Sequence, residues 1–184
     1  MSPGRRRSAG GPCSSQCLAA FISLVFGYFF YWTARPDFPP DGVAGPGVWW
    51  PSAALVLLAG AWLLTAMARR WNRLDSRRWF YLALAAAVLL AGGGASALLA
   101  GPWFTRLDPE SHVYGAIVWM LVIWTAAHVV VGVIMQLYCM ARRLAHRMTA
   151  RYDQDIVNVT LYWHFVAIMV LITVAVIAGF PLVA

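Results

Sequence analysis

The sequence predicts an all-α fold, an integral membrane bundle of five transmembrane helices, and three observations carry that prediction. Of the 184 residues, 61% are hydrophobic and 11% charged, whereas a soluble domain carries about 25% charged residues. A surface so poor in charge has to face lipid. Five apolar stretches approach or exceed the roughly 20 residues that a bilayer crossing needs. The charges, finally, are gathered between those stretches. At this length a single compact unit is expected: a basic cytoplasmic tail over residues 1–16 and one membrane domain over 17–184. There is no room for a soluble catalytic module.

The expected spans are 17–32, 49–68, 79–100, 113–140 and 156–180. The first ends in Phe26, Tyr28, Phe29, Phe30, Tyr31 and Trp32. Such an end suits a membrane interface rather than the small-residue cleavage site of a signal peptide. Pro51 falls in the opening turn of the second span, where a missing N–H costs least. Gly92, Gly93, Gly94 and Ser96 in the third let a neighbouring backbone approach. The fourth is long enough to predict a tilt. Between the first two spans, Pro36, Pro39, Pro40 and Pro46 predict an ordered turn or coil, not a helix. No internal repeat of the kind that builds inverted-repeat transporters is present.

Charge placement gives the direction of threading. All 14 basic residues are Arg. Twelve lie in the N-terminal tail and the second and fourth connections; only Arg35 and Arg106 lie in the other two. The excess belongs in the cytoplasm, so the N-terminus is expected inside and the C-terminus outside. Nucleic acid is not an expected partner despite the net charge of +7, because no basic face persists along any element.

The same spans are poor in chemistry. All seven acids lie outside them, namely Asp37, Asp41, Asp75, Asp108, Glu110, Asp153 and Asp155. A charge at mid-membrane costs about 2.5–3.5 kcal/mol and usually marks an ion path, so a self-contained pump or ion-coupled transporter is not expected. No phosphate loop, nucleophile triad or metal-ligand cluster occurs. Cys13, Cys17 and Cys139 form no disulfide framework and are expected as reduced packing residues, with a shared metal site as the sharper alternative. His112 and His146 lie at helix ends. His128 and His164 fall within the antiparallel fourth and fifth spans at similar depth. Two facing histidines can ligate a haem; the plainer reading is a hydrogen bond to a neighbouring helix or a lipid headgroup.

Three strings in the last two spans go further. His112-Val113-Tyr114-Gly115, then His128-Val129-Val130-Val131-Gly132, then Leu161-Tyr162-Trp163-His164-Phe165-Val166 resemble, in order and approximate spacing, subunit III of haem–copper cytochrome oxidases. The clear likeness covers about 70 residues, from Asp108 to the C-terminus. Tyr28-Phe29, Arg35 and the proline-rich turn resemble the family's matching helix and loop more weakly. The style is that of the subunit III portion of chains in which subunits I and III are fused.

The resemblance implies a shortened, five-helix bacterial form, since the family's full fold has seven helices. It implies a multi-pass chain of the bacterial inner membrane, not itself an enzyme, that serves aerobic respiration and the electron transport chain. It implies packing against subunit I, with subunit II in the same respiratory complex, and binding of membrane phospholipid. Haem and copper are then expected in the partner subunits and no cofactor in this chain. Tyr114, Gly115, His128, Gly132, Tyr162, Trp163, His164 and Phe165 become packing or lipid-contact residues, with no catalytic or metal role. The alternative is a haem b membrane anchor of another respiratory complex that uses His128 and His164. Three departures from the family stand out. Its buried Glu is replaced by Ser14-Ser15-Gln16-Cys17-Leu18, a common second His by Thr125, and an Asp by Ala167. Roles that depend on those side chains do not carry over.

Overall fold

The computed structural model describes residues 11–36, 38, 45–149 and 153–182. The Arg5–Arg7 cluster, most of the proline-rich connection, Arg151 and the side chain of Cys13 lie outside the described residues. Among those described the chain is all-helical: α1 (Gly11–Ala34), α2 (Trp49–Arg73), α3 (Arg77–Phe104), α4 (Val113–Leu144) and α5 (Gln154–Val174). A π-helical turn at Ala175–Gly179 and a 3-10 turn at Phe180–Leu182 follow. Five helices are long and apolar enough to cross a membrane, which makes this a multi-pass membrane protein.

The helices outrun the expected spans. α1 begins at Gly11, so residues 11–16 of the expected tail are helical, and Pro12 in that first turn loses no intrahelical bond. α2 continues through Arg69, Arg70 and Arg73, and α3 starts at Arg77. The expected connection shrinks to a turn at Leu74–Ser76 because Arg is a good helix former and its long side chain reaches headgroups from a helix end.

α2, α3, α4 and α5 close a ring in which α2 and α4 each touch both α3 and α5, while α1 lies outside against α4. The stripes that face inward follow alternate steps of three and four. On α2 they are Ala54, Leu58, Ala61, Thr65, Ala68 and Asn72, all buried, which is the seam of two helices crossing at a shallow angle. Gly94 of α3 meets it: a Cβ there would stand 2.6 Å from Leu58 Cγ and 3.4 Å from the Ala54 carbonyl. Gly92 and Gly93 are exposed instead. One member of the glycine run sets the distance between α2 and α3.

Three helices end the same way. After α2, Ser76 N–H donates to Trp71 O; after α3, Leu107 N–H to Pro102 O; after α4, Arg147 N–H to Arg142 O. Each is the long backbone bond of a left-handed helix cap. The residues in the left-handed conformation are Asp75 (φ 52°), Arg106 (φ 51°) and His146 (φ 55°), where glycine is the usual choice.

Candidate functional site

The residues singled out by the family likeness lie along α4, α5 and the C-terminal end of α1. Gly115 sits beneath the loop that enters α4. A Cβ would press on the Asp108 carbonyl, with its carbon 3.1 Å away, so no larger residue fits under that backbone. Tyr114 beside it is buried against Tyr28 of α1 and Phe38, at ring separations of 6.4 and 5.4 Å. His112, read as interfacial, caps α4: its Nδ1 accepts from Tyr114 N–H at 3.1 Å. An aromatic cluster thus ties α1 and Phe38 to the start of α4.

About five turns further along α4, at Gly132, α4 and α5 cross. Trp163 is completely buried, and a Cβ on Gly132 would stand 3.1 Å from its indole ring. Gly132 is the notch into which Trp163 fits. Tyr162 Oη donates to the His128 carbonyl at 3.0 Å, and Phe165 stands 6.0 Å from the His128 ring. Thr125 donates to Leu121 O at 2.8 Å within its own turn, and its hydroxyl lies 2.9 Å from that of Thr173 on α5.

The two mid-membrane histidines do not meet. His128 takes Trp124 and Phe165 as ring neighbours; His164 takes Trp62 of α2 at 5.5 Å. The cause is angular. Neighbouring helical residues diverge by about 100°, and Trp163 occupies the core position, so His164 is turned off the seam and exposed. Their internal bonds match. His128 Nδ1 lies 2.8 Å from Trp124 O, and His164 Nδ1 2.6 Å from Thr160 O. A carbonyl only accepts, so Nδ1 carries a proton in both rings, and Nε2 of the neutral ring is left as an acceptor. Among the described residues no three His, Cys, Asp or Glu side chains gather as a metal site. Cys17 and Cys139 are free.

A polar layer not foreseen from the sequence spans the core on the basic side of this crossing. Gln136 Nε2 donates to Thr65 Oγ1 at 2.7 Å, and Thr65 donates on to Ala61 O at 2.7 Å. Both residues are completely buried. The available signal was Gln136 itself, an amide well inside an apolar span, where such groups bond across helices.

The basic end is woven from ion pairs between helices. Arg73 of α2 reaches Asp153 at 3.3 Å, and Arg142 of α4 reaches Asp155 of α5 at 3.0 Å. Arg77 Nη2 lies 3.1 Å from His146 Nδ1. Arg143, expected in the fourth connection, lies within α4 and is only 3% exposed. It lies over the Phe80 ring at 4.7 Å and bonds Asp75 at 3.1 Å, pinning the α2–α3 turn to the end of α4. Asn72 Nδ2 adds a bond to Thr149 O at 3.4 Å. No family model matches this chain, and no curated protein is significantly similar to it.

Proposed function

We propose that this chain is a non-catalytic subunit III of a bacterial haem–copper terminal oxidase, a structural and lipid-binding partner of subunit I with subunit II nearby. The reading rests on the three strings in α4 and α5, and one observation supports it most. Their elements fit one another as packing parts: Gly115 under Asp108, Gly132 under Trp163, Tyr162 on the His128 carbonyl. Residues so used hold helices in register rather than handle substrate. The Arg distribution supports an inside N-terminus and an outside C-terminus, so a reporter fused at Ala184 is expected to be active only outside the cytoplasm.

The rival reading, a haem b anchor, draws on the backbone bond at Nδ1 of His128 and His164, since a ligating imidazole commonly has its other nitrogen held this way. Against it stands the separation of the two rings onto different neighbours. Purification in mild detergent tests both. Under the oxidase reading the chain brings down a larger subunit with haem and copper, and the isolated chain has no Soret band. Recovery as a stable monomer without such a partner, or stoichiometric haem in the isolated chain, overturns it.

A further inference from the structure

Three arginines share one face at the basic end of α2. Arg69, Arg70 and Arg73 line a pocket of about 410 Å³, whose described wall is completed by Ala66 and Leu74. Arg69 and Arg73 lie one turn apart on the same side of the helix, a spacing at which like charges repel. Only Arg73 has an acid, Asp153. Arg69 and Arg70 have no side-chain partner among the described residues, and Arg69 Nε is shielded from solvent with nothing to donate to. Nearby arginines differ: Arg142 and Arg143 each have a carboxylate within 3.1 Å.

The surroundings say which anion suits. The pocket lies where the apolar stretch of α2 gives way to charge, and at the same end of the bundle Trp71 and Trp79 stand with their rings 5.9 Å apart. Tryptophans of this kind mark the headgroup level of a bilayer. Above the arginines, exposed Leu63 and Met67 continue on the same stripe as Arg70 and Leu74. That stripe offers an apolar track leading away from a positive pocket at headgroup depth.

We propose that the Arg69–Arg70–Arg73 pocket holds the headgroup phosphate of an anionic phospholipid, with an acyl chain lying along Met67 and Leu63. This deepens the lipid-holding part of the proposed function. It requires only that the chain spans a membrane, not that its partner is an oxidase, so each idea can fail alone.

The test uses the full chain with whatever subunits co-purify, placed in nanodiscs of phosphatidylcholine with or without phosphatidylglycerol. Lipid retained after transfer to detergent is then counted by native mass spectrometry. The wild type is expected to keep phosphatidylglycerol in preference to phosphatidylcholine. Arg69→Gln/Arg70→Gln is expected to lower that retention roughly tenfold. Ala66→Phe, which fills the pocket and leaves every charge, is expected to lower it too. Arg78→Gln/Arg147→Gln removes the same charge from the same end outside the pocket and is expected to change nothing. Four results overturn the proposal: unaltered retention in both pocket variants, an equal loss in the control pair, or displacement of the lipid by inorganic phosphate, which would mark a free-anion site. The fourth is loss of a co-purifying protein with lipid unaffected, which would assign the pocket to an acidic protein segment.

Discussion

Gly132 and Trp163 show how little freedom the α4–α5 crossing has. The indole fills the space that any side chain at 132 would need, and Trp163 is completely buried. Gly132→Leu is therefore expected to cost about 1–3 kcal/mol through overpacking, read as a lower midpoint of thermal unfolding in detergent. Trp163→Phe keeps most of the ring and removes an Nε1–H that has no partner, so it is expected to be far milder. If the two variants behave alike, the notch is not what holds the helices together. The Thr65–Gln136 bond is the second residue-scale test. Hydrogen bonds between membrane helices are worth on average about 0.6 kcal/mol, because the separated helices find other partners. A double-mutant cycle of Thr65→Val and Gln136→Leu is expected to give a coupling of that order. A coupling near zero would mean that the bond is not formed in the membrane. Neither pair was legible as a contact beforehand. Gly132 and Trp163 stood out only through a family likeness, and the partner of Gln136 is decided by helix rotation, which composition does not carry.

At the scale of elements, the number and kind of helices were plain from apolar length alone, while their ends were not. Hydropathy reports where lipid stops, and an arginine-rich helix continues past that boundary, as α2 and α4 do through Arg73 and Arg143. Similar depth was legible for His128 and His164, but the face was not read from the neighbouring Trp163. The three glycines of α3 look alike in the sequence; only Gly94 falls in step with the inward stripe of Ala87, Ala91 and Leu98. The helix caps were equally hidden, because Asp75, Arg106 and His146 stand where glycine would announce a left-handed residue. A non-glycine residue in that conformation costs roughly 1 kcal/mol. Arg106 has no hydrogen-bond or ion-pair partner among the described residues, so Arg106→Gly removes the strain without breaking a side-chain bond. It is expected to stabilise the protein by about that amount, visible as a raised unfolding midpoint. Asp75→Gly is expected to do worse, since it deprives the buried Arg143 of its carboxylate. A destabilised Arg106→Gly would show that the cap is not the source of the difference.

For the whole molecule the distribution of acids decides what the bundle can do. Within the described helices the one carboxylate is Asp155, in the first turn of α5 and paired with Arg142. Beyond the Thr65–Gln136 layer, the buried uncharged polar side chains include Thr125, Thr160 and Thr173. Amides and hydroxyls can orient one another, but they do not titrate near neutral pH as a carboxylate does. The start of α1, around Gln16 and Cys17, carries no acid. Under the proposed function, an effect of this chain on proton uptake has to be indirect. It would act through packing on subunit I, through held lipid, or through surface groups such as Asp153 and Asp155. The measurement compares the intact complex with one stripped of this chain and counts protons moved per electron over the first turnovers. The expected result is an unchanged initial stoichiometry, with activity lost only as turnovers accumulate. An immediate fall in pumping, reproduced by replacing Gln136 or another intramembrane residue in the intact complex, would place this chain on the proton path and defeat the supporting role.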